Sequence, residues 1–422
     1  MRAIWKSSSP RGWIPTAYDA VKKNEILLLE ALSAALRGEG VSWEKGCVAS
    51  WNALLRLARA HNVLPMVAQA VWDDPALRED AAIRALSRAA RRLVIFQAQR
   101  TGDFHLLYRH LHEVGLNPVV MKGLVCRSLY PYPEQRPSVD EDLLIAPEDF
   151  SRYHETLLRL GFSLADPDID PEAEHELAYI KPPSHLYLEV HKQAFLPDSE
   201  SYGDCNVLFE EALDRTVSVQ IDGMSFRTLA PTDHLLYLLC HAYKHFLHSG
   251  VGIRQVCDMG MFAEQFGAEV DWARIVRGCA SIRIDRFAAA LFRIAEQHLG
   301  FPLPEAFSAY DVDTGPLLED ILSGGLYGTV DEDRLHSGSI TLDAVAAQKR
   351  GRKRRGILAS LFPSVSSLSG RYPYLREKPW LLPAAWVQRI GGYLKKRKVS
   401  AAASVHAGEQ RIELLKKYGI ID

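Results

Sequence analysis

The chain has 422 residues, 47% apolar and 24% charged, with a formal net charge of −2. That length is long for one core, so two domains plus extensions are expected, and the composition is that of an ordinary globular protein. Six scattered cysteines (Cys47, Cys126, Cys205, Cys240, Cys257, Cys279) show no CxxC spacing. A zinc framework or disulfide scaffold is therefore not expected, and a reducing compartment fits. The opening MRAIWKSSSPRGW lacks the apolar core of a signal peptide, and no run of about 18 uncharged apolar residues is present to span a bilayer. A cytoplasmic location is the expectation.

The small net charge conceals an asymmetry. Residues 349–422 hold 17 of the 50 Lys and Arg but only four of the 52 Asp and Glu. An acidic body with a basic tail suggests that the tail meets something anionic.

From Ala17 to His112 the pattern is helical, with Ile26, Leu27, Leu29, Leu32 and Leu36 near helical spacing and one or two long helices between Asp80 and Glu113. No chemistry is evident there. Asn117-Pro118 then starts a strand, Val119–Met121, which a Lys122-Gly123 pair breaks. A short helix and a Pro-rich loop carrying Arg136 follow, and then Val139-Asp140-Glu141-Asp142-Leu143-Leu144-Ile145. Strand side chains alternate faces, so Asp140 and Asp142 project to one side. A solvated strand edge also looks like this, but two carboxylates held side by side repel each other, and a bound cation is the usual relief.

Pro147-Glu148-Asp149 begins a helix with acids in its positive first turn, running to about Leu160. Strand-like Phe162–Leu164 and an acidic loop, Asp166–Glu176, precede two further strands, Leu177–Ile180 and His185–His191. In the second, Leu186, Leu188 and Val190 point one way, while Tyr187, Glu189 and His191 point the other. Glu189 thus offers a third carboxylate. Three carboxylates converging from two strands suit Mg²⁺ or Mn²⁺ rather than zinc, and such a site can serve a two-ion displacement at phosphorus. Lys122 and Arg136 suit phosphate, as a point charge and a planar fork. His191 reads either as an orienting or phosphate-contacting group or as a structural histidine.

Residues 203–214 look helical, and Thr216–Ile221 and Ser225–Thr228 form a hairpin around Asp222-Gly223. Beyond Pro231 the chain is helical again. His241 and His245 share the four-residue spacing of zinc ligands, but no Glu lies between them and no third ligand is evident. This helix is expected to pack on the sheet, with Lys244 reaching the cleft as a triphosphate contact. Arg254 and Asp258, four apart, read as a helix-surface pair. Helices follow to Leu299, and from Leu303 to Asp343 the pattern weakens to loops and short helices. The tail carries Lys349-Arg350-Gly351-Arg352-Lys353-Arg354-Arg355, an apolar and aromatic segment with Trp380 and Trp386, Tyr393, and Lys395-Lys396-Arg397-Lys398. It reads as a solvated segment, as a contact for an anionic membrane surface through residues 349–398, or as a nucleic-acid contact.

These motifs, in this order, resemble the uncharacterised bacterial nucleotidyltransferase family of the DNA polymerase β-like superfamily. They are Lys122-Gly123, Tyr130-Pro131, Arg136-Pro137, Asp140-Glu141-Asp142-Leu143-Leu144, Glu189-Val190-His191, His241-Ala242-Tyr243-Lys244-His245 and Arg254 to Asp258. The resemblance implies an α+β fold. A nucleotidyltransferase-type mixed sheet (116–230) would be flanked by an N-terminal helical region (1–115), an all-helical domain (231–302) and a C-terminal extension (303–422). It also implies a metal-bound nucleoside triphosphate and nucleotidyl transfer to an acceptor such as a sugar, a metabolite, a protein or RNA, with release of pyrophosphate. Asp140 and Asp142 would bind Mg²⁺ or Mn²⁺, Glu189 would complete the site, and Gly123 would let the triphosphate approach the backbone. Lys122, Arg136, His191 and Lys244 complete the expected nucleotide contacts. Two departures stand out: Leu124 follows the glycine where many superfamily members place a phosphate-holding Ser, and Glu141 replaces a usual apolar residue. They support an alternative reading as a non-catalytic nucleotide- or protein-binding module; in a third reading, a toxin-like transferase acting on RNA, the basic tail would bind the acceptor.

Overall fold

The computed structural model describes residues 17–44, 46–48, 50–182, 184, 186–325, 332–351, 365–368, 372, 374–395 and 401–422. The expected basic residues Arg352–Arg355, the apolar run Ile357–Phe362 and Lys396–Lys398 lie outside these, and the Tyr393 side chain is likewise not described.

A seven-stranded mixed sheet forms the centre of the α+β fold. Its strands are β1 (Val119–Val120), β2 (Glu141–Leu144), β3 (Ser163–Leu164), β4 (Glu176–Lys181), β5 (Leu186–His191), β6 (Thr216–Ile221) and β7 (Met224–Leu229), in the order β3-β4-β5-β2-β1-β7-β6. The pairs β2–β5 and β1–β7 are parallel and the others antiparallel. The Asp-Gly turn between β6 and β7 adopts positive φ at both residues (50° and 75°), the conformation that matches a two-residue hairpin to strand twist.

One face of the sheet is apolar. Val120, Leu143, Leu188, Val190 and Phe226 pack against Phe104, Leu107 and Leu111 of the Ala81–Glu113 helix and against Phe150, Tyr153 and Leu157 of the Phe150–Arg159 helix. Alternation along β5 sends Leu186, Leu188 and Val190 into this core and leaves Glu189 and His191 on the opposite face. The Pro231–His248 helix lies on that opposite face.

The N-terminal helices, the helices from Pro231 to Leu299 and the C-terminal helix Ala401–Lys417 contribute to one further core, in which Leu32, Val67, Leu239, Phe287 and Leu415 are all buried. Two local expectations are corrected. Residues 203–214 form a 3-10 segment, Gly203–Phe209, instead of an α-helix. Glu332–Lys349 is an 18-residue helix in a region whose pattern suggested loops and short helices. The basic cluster begins inside this helix, where Lys349 pairs with Asp204 at 2.6 Å and Arg350 pairs with Glu200. Part of the tail's positive charge therefore meets the acidic body of the same chain.

Candidate active site

The parallel pairing of β2 and β5 sets Asp142 directly beside Glu189, so their side chains share the polar face of the sheet. His191, two residues further along β5, joins them. Its Nε2 lies 3.2 Å from Asp142 Oδ1 and 3.8 Å from Glu189 Oε2. Asp142, Glu189 and His191 each present a donor atom within 4.8 Å of the others. Burial, then the neighbouring Asp142 and Asp140 carboxylates, push the Glu189 carboxyl up to about 9. A carboxyl that resists ionisation beside other carboxylates is one that a cation would relieve.

Asp140 precedes β2 on the same face, and its carboxylate faces Lys122. The Lys122 ammonium stands 3.0 Å from Asp140 Oδ2, 3.0 Å from Asp142 Oδ2 and 3.0 Å from His241 Nε2. Its contact with Asp142 Oδ2 is one of charge, since that oxygen lacks a hydrogen bond of acceptable angle. Burial acts to raise the Asp140 carboxyl, but Lys122 holds it well below the usual carboxylate range.

Behind this cluster, on the other face of β2, lies Glu141. Its Oε1 pairs with Arg127 at 2.6 Å and its Oε2 accepts from the Leu124 N–H at 2.8 Å. This answers the departure noted in the sequence: Glu141 clamps the Lys-Gly turn from below and faces away from Asp140 and Asp142. Gly123 has φ +60°, and a Cβ there would stand 2.0 Å from Glu141 Oε2. The residue must therefore be glycine for the sake of the turn itself.

The helical side supplies His241, His245 and Lys244 from Pro231–His248. His241 Nε2 also meets His245 Nε2 at 3.1 Å. Because Lys122 carries only donors, His241 Nε2 accepts from it. Burial and the neighbouring Lys122 charge hold His241 well below its usual range, in the neutral form. The zinc-like spacing thus serves a hydrogen-bonded pair that supports Lys122. Lys244 pairs with Glu176 at 3.2 Å, and Glu176 Oε2 lies 3.7 Å from His191 Nδ1. Glu176 was missed in the sequence, where it was placed in the acidic loop. The signal was the alternation Glu176-Leu177-Ala178-Tyr179, which extends β4 by one residue and, through the pair Glu176–His191, puts its carboxylate on the site face.

Arg136 is buried in a bidentate pair with Asp258, Nε to Oδ1 at 2.7 Å and Nη2 to Oδ2 at 2.6 Å, and Tyr130 Oη donates to the same carboxylate at 2.6 Å. Arg254 donates to the Pro137 carbonyl. The expected surface pair of Arg254 and Asp258 is therefore corrected: both are buried, and their partners lie in the loop before β2. A cavity of about 20 Å³, the size of a single water, lies among Lys122, Gly123, Arg136, Asp140 and Arg254. The Nη1 of Arg136 is buried without a hydrogen-bond partner. Glu189 and Glu176 form the more open edge of the cluster, with side chains 23% and 26% exposed.

A mixed sheet that carries an Asp-x-Asp strand beside a Glu-x-His strand, under a helical cap, defines a fold of the nucleotidyltransferase type. Residues 48–300 match the family described as uncharacterised nucleotidyltransferase. The chain belongs to this family and is an enzyme of the nucleotidyltransferase class, with its acceptor left open. No curated protein and no solved structure matches it. No helix among the described residues is long and apolar enough to cross a membrane.

Proposed function

We propose that the protein transfers a nucleoside monophosphate from a nucleoside triphosphate to a hydroxyl acceptor, a sugar, metabolite, protein or RNA end, at the polar face of β2 and β5. The observation that carries this reading is the convergence of Asp142, Glu189 and His191 within 4.8 Å, beside a lysine-bearing glycine turn. The acceptor oxygen forms a bond to the α-phosphorus while the bond to the β-bridging oxygen breaks, so pyrophosphate leaves. The hydroxyl proton passes to a carboxylate of the cluster. Asp142, Glu189 and His191 would hold a divalent ion, which supplies Lewis acidity to the phosphate and to the acceptor oxygen. Two carboxylates and one imidazole favour Mn²⁺ over Mg²⁺, which prefers an all-oxygen shell.

The chain's own residues organise the rest. Glu176, anchored by Lys244, lies 3.7 Å from His191 Nδ1 and adds negative charge beside the ring. Lys122 places positive charge against the cluster, and Arg136, held by Asp258 and with a buried Nη1 that has no hydrogen-bond partner, lines the small cavity beside it. Pyrophosphate release from each NTP with Mn²⁺ and a fractionated cell extract, compared between wild type and Asp142→Asn, tests the reading. A wild type as inert as the variant with every fraction contradicts it.

We also propose that the tail docks the enzyme on an anionic membrane surface, at the inner face of the membrane. Trp380 and Val387 are each 71% exposed, in a segment set between two basic runs. That combination of apolar anchors and cations suits a lipid headgroup interface.

A further inference from the structure

The ammonium of Lys122 occupies an unusual place. It hydrogen-bonds to Asp140 Oδ2 and His241 Nε2, each at 3.0 Å, and forms an ion pair with Asp142 Oδ2 at 3.0 Å. The side chain is only 9% exposed. Its stem runs from the turn after β1, which Glu141 clamps through the Leu124 N–H. His241, braced by His245, closes the third side. The ammonium is thus built into the fold between the two aspartates and does not reach out from the rim.

In a two-ion site the pair of divalent ions would steady both the attacking and the leaving oxygens, and two aspartates two residues apart on a strand present carboxylates to one side. Here the donor atoms gathered for an ion come from Asp142, Glu189 and His191. Asp140 is outside that group, and its carboxylate is hydrogen-bonded to Lys122. An ion between Asp140 and Asp142 would compete for the same oxygens as a resident +1 charge that is largely shielded from solvent.

We infer that Lys122 is a built-in cation that replaces one of two divalent ions, so that the cleft takes a single ion, held by Asp142, Glu189 and His191. The inference rests on the metal-dependent reading above and adds the stoichiometry. Asp140 then acts by fixing Lys122 and is a positioning residue. Lys122 supplies the charge that a second ion would otherwise bring to the leaving phosphates.

Titration of the full chain with Mn²⁺ alone, followed by the paramagnetic resonance of free Mn²⁺, counts the ions directly without any turnover. The wild type is expected to hold one ion per chain, Asp142→Asn to lose it, and Asp140→Asn to keep it. Lys122→Met is expected to rise to two ions, returning to one in Lys122→Met/Asp140→Asn. Lys122→Gln replaces Lys122→Met should the latter not fold, as judged by circular dichroism. Two ions on the wild type, or a folded Lys122 variant that still holds one, overturn the inference while leaving the metal-dependent reading intact. No ion on the wild type overturns both.

Discussion

Asp142 and Glu189 are register partners on neighbouring parallel strands, which places two carboxylates side by side on the polar face of a sheet whose other face is an apolar core. Burial and the adjacent Asp142 charge raise the Glu189 carboxyl to about 9. Rigid strands prevent the two groups from separating, so Glu189 favours a proton, or a bound cation in its place, over a bare charge beside Asp142. Asp142→Asn and Glu189→Gln should each lower nucleotidyl transfer about a hundredfold or more, equivalent to about 3 kcal/mol of transition-state stabilisation. Steady-state rates at saturating NTP check this.

The turn that carries Lys122 rests on Glu141. Gly123→Ala combines a strained positive φ with a Cβ 2.0 Å from the Glu141 carboxylate. It should cost at least about 1–3 kcal/mol of stability. In a Glu141→Ala background the added cost of Gly123→Ala should be smaller, because the clash is gone and only the backbone strain remains. Urea unfolding of the four proteins in this cycle measures the difference.

The Arg127–Glu141 pair is buried on both sides, with side-chain exposures of 1% and 2%. Removing one partner leaves an uncompensated charge. Arg127→Met should therefore destabilise the protein by about 3–5 kcal/mol, and Arg127→Met/Glu141→Leu should recover much of that loss. The double variant should still lose transfer activity, since Leu124 N–H and the Lys122 turn lose their clamp. Thermal unfolding and activity, measured together, separate the two effects.

Acid should release the anchor of the Pro-rich loop. Burial acts to raise the Asp258 carboxyl, but Arg136 and its hydrogen bonds, with Arg254, hold it below the usual range. Its folded pKa thus lies below its unfolded one. The stabilisation is fully present above the unfolded value of about 4 and is lost as pH falls through the folded value. Asp258→Asn should lower stability at neutral pH and flatten the loss of stability below about pH 4. Unfolding free energies across that range show whether the acid limb belongs to this residue.

For the tail, Trp380→Ala/Val387→Ser in the full chain should weaken co-sedimentation with anionic vesicles. Deleting the whole tail is a poor test. The C-terminal helix buries Ile412, Leu415 and Tyr418 in the main core.

Much of the sheet was legible because local pattern and tertiary outcome agree. The alternation Leu186-Tyr187-Leu188-Glu189-Val190-His191 states which side chains face the core, and Asp222-Gly223 names its own turn. What lay hidden depends on contacts between distant residues. Nothing near Arg136 announces Asp258, 122 positions away, and a four-residue spacing suggested Arg254 as the partner instead. The ion pair and hydrogen bond that Lys122 makes with Asp142 and His241 were not legible, because those neighbours in space belong to other elements. Glu176 was assigned to a loop because the strand boundary fell one residue late, and such boundaries are set by pairing with β5 more than by propensity. The Glu332–Lys349 helix escaped because its apolar positions do not form a clean stripe. The protein buries Ala344 and Val345 against the body and leaves Lys349 and Arg350 to pair with acids there.

The central claim is that this cleft moves a nucleotidyl group. Incubating the enzyme, Mn²⁺ and an acceptor-containing extract with NTP labelled at the α-phosphorus, and separately at the γ-phosphorus, tests it most directly. The account predicts that the α label becomes attached to an acceptor, that the γ label leaves in pyrophosphate, and that Asp142→Asn does neither. Attachment of the γ label, or α transfer that is undiminished in Asp142→Asn, would contradict it.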